Sequence, residues 1–168
     1  MITTKLITLA DISAVKSISL NTNEVKQINP HILEAQNFDL RHLLGDEFYL
    51  DLIANIANYT LLFNGGTYVH NGKNYYLDGV KVYLVYSTYA RYTASSGIIA
   101  TPTGMVAKTS QYSEQVSEKT IARIVDQSRS GASFCENSIR LFLDRNSATY
   151  PFWSSCEIGV KKTKIRQI

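Results

Sequence analysis

From Ile121 to Phe142 an apolar or small residue returns in steps of four and three: Ile121, Val125, Ser128, Ala132, Cys135, Ile139 and Phe142. That rhythm traces one face of an α-helix, and a face this long has to lie lengthwise against other helices. The pattern predicts a long helix that starts at Ser113 or Ser117 and ends near Asn146. Gly131, between Ser130, Ala132 and Ser133, allows a second helix to come close at midlength, at some cost in helix propensity. A chain built round such an element is predominantly helical.

Shorter helices precede it. Thr8-Leu9-Ala10-Asp11 has the form of a capping box, predicting a short helix over 9–18. Asn29-Pro30 reads as the next helix start, with Asn as cap and Pro where no donor is lost. Leu33, Ala35, Gln36, Leu40, Leu43 and Leu44 continue its face, and Gly45 can close it with a positive φ. Asp46 can then cap a helix whose face is Phe48, Tyr49, Leu52, Ile53 and Ile56, giving two antiparallel helices round a tight turn. Phe63-Asn64-Gly65-Gly66 stops that helix.

Residues 66–78 follow a different period. Thr67-Tyr68-Val69-His70 and Asn74-Tyr75-Tyr76-Leu77 read as short strands joined at Asn71-Gly72, a pair suited to the positive φ angles of a tight turn. A β-hairpin inserted between helices is the expectation. A long helix over 79–98 follows, with Tyr83, Tyr86, Tyr89 and Tyr92 spaced by three and drifting round its surface. These rings suit core packing, and they also suit a subunit interface. Thr101-Pro102-Thr103-Gly104 reads as a loop, Met105–Thr109 as a brief strand, and Tyr150-Pro151-Phe152-Trp153 as an aromatic lid folded back on the core.

The net charge of +3 is unevenly placed. Lys161, Lys162, Lys164 and Arg166 sit near the C-terminus, and without these four the chain carries 13 Lys and Arg against 14 Asp and Glu. A nearly neutral body lacks the basic face of a nucleic-acid-binding domain. Val160–Ile168 alternates basic with apolar or β-branched residues, the pattern of an extended arm. The most apolar stretch, Val80–Ala100, is interrupted by Lys81 and Arg91 and falls short of a membrane span. The N-terminus lacks the pattern of a signal peptide, which predicts a protein made in the cytoplasm. Cys135 and Cys156 lack metal spacing, and a disulfide is not expected between them; Cys135 on the helical stripe reads as a buried packing residue.

No pattern of catalytic residues stands out. His31, His42 and His70 lack metal-ligand spacing, Gly65-Gly66 belongs to no phosphate loop, and no nucleophile elbow is present. Asp46, Glu47 and Asp51 could form an acid pair, yet their place at a helix N-terminus accounts for them through the helix dipole. A chain with no catalytic residues, no cofactor and no metal is expected.

Ile28-Asn29-Pro30-His31-Ile32-Leu33-Glu34-Ala35-Gln36 and Leu43-Leu44-Gly45-Asp46-Glu47-Phe48-Tyr49 resemble the opening helices of bacteriophage head–tail adaptor, or connector, proteins. The form is I-x-P-x-I-x-x-A-Q followed by L-G-x-x-[FLY]-[YF], and it is similar in particular to the neck proteins of crAss-like phages and related prophages of gut Bacteroidetes. The Asn-Gly hairpin, Gly79-Val80-Lys81, Tyr89-Ala90-Arg91-Tyr92, Thr101–Val106 and Tyr150-Pro151-Phe152-Trp153 extend the resemblance over residues 20–155.

The resemblance implies a mainly α subunit without catalytic residues. It implies a homo-oligomeric ring of roughly twelve copies at the virion neck, between the portal protein and further neck or tail proteins. Such a ring extends the channel through which DNA passes without sequence-specific binding, and it has no membrane partner. The expected architecture is an antiparallel bundle of about four to five helices over 1–154, with the hairpin inserted at 66–78. A basic arm over 155–168 completes it.

Two appendages are candidate contacts. Tyr68, Val69, His70, Tyr75 and Tyr76 would place the hairpin against a neighbouring subunit, or else on its own helices. Val160, Lys161, Lys162, Lys164, Ile165 and Arg166 would let the arm add as a strand to the portal, or else remain a disordered tail. Two other readings stay open: a nucleic-acid-binding accessory protein that grips phosphates with the arm, and an enzyme whose deep pocket gathers scattered polar groups.

Overall fold

A capping box opens the first helix, α1 (Leu9–Ser13). Thr8 Oγ1 accepts the Asp11 N–H at 3.3 Å, and Asp11 Oδ2 accepts the Thr8 N–H at 2.8 Å. The computed structural model describes residues 2–19, 22–101, 104–107 and 117–153. Ser113, Cys156 and the C-terminal arm therefore lie outside the described residues, with Val160, Lys161, Lys162, Lys164, Ile165 and Arg166. Helix α1 is shorter than the expected span. After Ser13 the chain turns, and Lys16 lays its ammonium 4.2 Å from the centre of the Tyr86 ring.

The second helical stretch starts at Glu24, before the expected Asn29-Pro30. Asn23 caps it by accepting the Lys26 N–H at 3.0 Å, whereas the Asn29 side chain accepts a hydrogen bond from Lys5 Nζ. Winding alternates along this stretch: a wide π-type turn over Glu24–Ile28, α2 (Asn29–Glu34), a second wide segment over Ala35–Leu40, then α3 (Arg41–Leu44). Pro30, which has no N–H to give, falls where the first wide turn tightens.

The second wide segment carries Gln36 and Asn37, both buried. Gln36 accepts the Leu6 N–H and donates to the Thr4 carbonyl; Asn37 accepts the Ile2 N–H and donates to the carbonyls of Ile2 and Leu33. Two side-chain amides thus hold the N-terminal segment as a neighbouring strand would, and they satisfy backbone groups that burial would otherwise leave unpaired.

Gly45 turns the chain at φ 80° and ψ 164°, an extended left-sided conformation that glycine alone adopts readily. Asp46 begins α4 (Asp46–Ala54) without capping it; its carboxylate takes the Arg41 guanidinium in a two-pronged bond of 2.7 and 2.9 Å. A 3₁₀ turn (Ile56–Tyr59) interrupts the expected continuous helix before α5 (Thr60–Asn64).

Strands β1 (Gly66–His70) and β2 (Lys73–Leu77) form the hairpin in the expected antiparallel register. Asn71 and Gly72 both have positive φ, 50° and 73°. Its root is a backbone crossing: a Cβ on Gly79 would lie 2.4 Å from the Gly65 nitrogen. Helix α6 (Gly79–Ser95) follows and is buried round most of its circumference, including Val80, Leu84, Val85, Thr88 and Ala90. It is the central element, touching α1, α2, the Ala35–Leu40 segment, α5 and α7 (Glu118–Arg145).

Ser117 caps α7, accepting the Thr120 N–H. Val125, Ser128, Cys135, Ile139 and Phe142 of the expected stripe are buried. A Cβ on Gly131 would lie 2.5 Å from the Tyr86 ring, so the closest approach of α6 and α7 is made possible by that glycine. A second hairpin, absent from the sequence reading, joins β3 (Ile98–Thr101) to β4 (Gly104–Ala107). The expected strand near 105 therefore has a partner just past the expected helix, of which it takes only Ile98, and Thr101 and Gly104 of the expected loop are strand residues. Tyr150 and Trp153 are buried, with Tyr150 against Phe48, Tyr59 and Phe142, while Phe152 is exposed.

Candidate interaction surfaces

The period of two along the β1–β2 hairpin separates its candidate residues onto two faces. Tyr68 is buried, edge-on to Phe142 at 4.8 Å, and Tyr75 stacks on Tyr68 at 5.6 Å. Arg145 of α7 locks this face: it donates to the Tyr68 hydroxyl at 2.9 Å and sits 4.1 Å from the centre of the Tyr75 ring. His70 lies beside Tyr75. Val69 and Tyr76 point the other way and are 64% and 70% exposed. The hairpin is therefore fixed to its own helices on one face and presents Val69 and Tyr76, paired across the strands with Asn74 and Thr67, on the other.

A shallow cleft of about 490 Å³ lies between α6 and α7, lined by Phe38, His42, Tyr83, Arg91, Arg129 and Glu136 among others. Its charges are largely paired. Arg91 grips Asp39 through two bonds of 2.7 and 3.0 Å, and Arg140 holds Glu136 at 2.8 Å. Burial, and then the Asp39 and Glu136 carboxylates, push the Tyr83 phenol well above its ordinary range. The Arg91–Asp39 pair ties α6 to the Ala35–Leu40 segment, whereas Arg140 and Glu136 pair within α7.

The three histidines stay apart. His42 lines the cleft, His70 sits on the hairpin, and His31 bridges two helices. Among the described residues no group of His, Cys, Asp and Glu is placed to hold a metal ion. His31 has an arrangement that its sequence position did not suggest: Nε2 is 3.0 Å from Ser95 Oγ, and Nδ1 is 3.4 Å from Glu34. The order resembles a serine–histidine–acid relay. However, Ser95 Oγ also bonds the carbonyls of Arg91 and Tyr92, within the last turn of α6. A helix C-terminus carries negative potential, so an alkoxide there is disfavoured. The arrangement pins α2 to the end of α6.

Burial, with Asp78 nearby, pushes the Cys135 thiol up to about 11, so little thiolate forms near neutral pH. The imagined acid pair is divided: Asp46 is held by Arg41, while Asp51 accepts from the Tyr59 hydroxyl and the Asn55 amide. Among the described residues no helix is long and apolar enough to cross a membrane.

A family model described as "Family of unknown function (DUF6712)" matches residues 40–163, well over half of the chain. The chain belongs to DUF6712. No curated protein and no solved structure matches it. The DUF6712 segment takes in the Gly45 turn, both hairpins, α6 and α7. It leaves out His31 and Glu34, two of the three relay members. The family match thus spans the exposed hairpin face and Lys161 and Lys162, and stops short of Lys164 and Arg166.

Proposed function

We propose that this DUF6712 chain is a structural virion subunit: a head–tail adaptor that forms a ring between the portal and the neck or tail proteins and extends the DNA channel. The ring holds about twelve copies, each meeting its neighbours through two different surfaces so that rotation closes the array. The observation that carries the reading is the hairpin with its inner face locked by Arg145 and its outer Val69 and Tyr76 exposed. A rigidly held face that exposes a valine and a tyrosine is a low-entropy contact for another protein. The motifs over residues 28–49 supply the kind of partner. The helices pack as an antiparallel bundle, and the basic C-terminal arm docks on the portal.

Replacing the whole hairpin would remove Tyr68 and Leu77 from the core, so the test concerns its outer face alone. Val69→Asp with Tyr76→Asp should leave stability within about 0.5 kcal/mol, the usual range for surface positions. It should abolish ring formation when the chain is mixed with its portal and imaged by electron microscopy. Rings equal to wild type would remove the hairpin from the interface, and a wild type that adds no ring to the portal would remove the adaptor reading.

A further inference from the structure

Both hairpins are two-stranded, and among the described residues no third strand joins either of them. Such sheets leave unpaired backbone groups along each outer edge, and isolated pairs of strands are only marginally stable. Proteins that stay apart protect such edges with lysine, proline or inward charge. Here β1 reads Gly-Thr-Tyr-Val-His and β3 reads Ile-Ile-Ala-Thr, without a lysine, arginine, acid or proline. In β1 the pairs that exchange hydrogen bonds alternate with those that do not. Counting from the closing pair His70 and Lys73, the backbone groups of Thr67 and Val69 face outward. The same count from Thr101 and Gly104 turns those of Ile98 and Ala100 outward on β3.

The two edges sit at opposite ends of one rigid element. Strand β2 runs into the start of α6 and β3 leaves its end, and a helix of 17 residues is about 25 Å long. Two different, uncharged edges of similar length, held apart by a helix, can pair with one another only between copies, in a head-to-tail arrangement.

We infer that the outer edge of β3 in one copy adds to the outer edge of β1 in the next, forming a four-stranded sheet across each junction of the ring. This rests on the ring reading above and names the surfaces that carry it. Repetition places α6 as the spacer between successive junctions, with both hairpins of every subunit used.

Single proline substitutions remove one outward N–H at an edge, where a strand tolerates proline. Val69→Pro should block the β1 edge and Ala100→Pro the β3 edge, each leaving a folded chain by circular dichroism that sediments as a monomer across a concentration series. Val69→Thr keeps the N–H and should assemble as wild type does. Mixed together, the two proline variants still share one good junction and should form a heterodimer that grows no further. As a second measure, Val69→Cys and Ile98→Cys in a Cys156→Ser background should cross-link between copies and not within one. Proline variants that assemble like wild type, or a Val69→Thr chain as defective as Val69→Pro, would overturn the edge pairing while leaving the ring intact. A wild type that stays monomeric at every concentration and adds no ring to its portal would overturn both.

Discussion

At the scale of single residues, Gly131 decides how closely α6 and α7 meet. The Tyr86 ring occupies the space a side chain would need, at 2.5 Å from the missing Cβ. Gly131→Ala brings better helix propensity by about 1 kcal/mol, but the ring has to leave its place between Lys16 and α7. Overpacking of this kind costs about 1–3 kcal/mol, so the net effect is destabilising. Chemical denaturation should show a lower midpoint for Gly131→Ala, and a smaller loss when Tyr86→Ala is added to it. A neutral Gly131→Ala would mean that the ring moves freely and that the glycine is not needed for packing.

At the scale of elements, the start of α1 is tied to α6 through Asp11. Its carboxylate accepts from the Thr8 N–H and faces Lys81 Nζ at 2.9 Å. Partial burial pushes the Asp11 carboxyl up, but the hydrogen bonds from Lys81 and Thr8 together outweigh it and hold it below the ordinary 3.8. A lowered pKa stabilises the fold above the unfolded value, and that contribution disappears as pH falls through the folded value. The melting temperature of the wild type should therefore fall as the pH drops through and below 3.8. Asp11→Asn should start lower and lose less over the same window. Parallel curves for the two proteins would show that the capping box contributes nothing through its charge.

At the scale of the molecule, α6 lies at the centre and the N-terminal segment closes one side of it. Ile7 and Ile12 are almost wholly buried, and the Gln36 and Asn37 amides spend most of their hydrogen bonds on residues 2–6. Removing residues 1–7 exposes apolar surface and leaves both amides without those partners, each worth about 1–3 kcal/mol when buried and unpaired. The truncated chain should unfold at a clearly lower denaturant concentration. Gln36→Leu should recover part of the loss, because both Gln36 partners lie in the removed segment and an apolar side chain needs none. Equal midpoints for the full and truncated chains would show that the segment is an ornament on a complete core. The proposed head-to-tail ring belongs to this scale too, since the edge pairing would use both ends of α6.

Local chemistry alone determined much of this protein. The Thr8 capping box, the Gly45 turn, the Asn71-Gly72 hairpin and the stripe from Val125 to Phe142 each depend on residues close in sequence. The interactions that shape them act within a turn or two of helix, or across one tight turn. Asn29-Pro30 looked like a helix start for the same local reason. They do open α2 with Pro30 in its first turn, but a wide turn precedes them and the Asn29 side chain binds Lys5 and caps nothing. Tertiary structure decided the rest: which hairpin face is locked by Arg145, why Gln36 and Asn37 are buried, how Ser95 meets His31, and that β4 finds its partner in β3. These depend on side chains meeting across long stretches of chain, and hydrophobic periodicity says which face is buried without saying against what. The exposed outer face of β1–β2, and the lack of a third strand beside β1 or β3 among the described residues, show only in the folded chain.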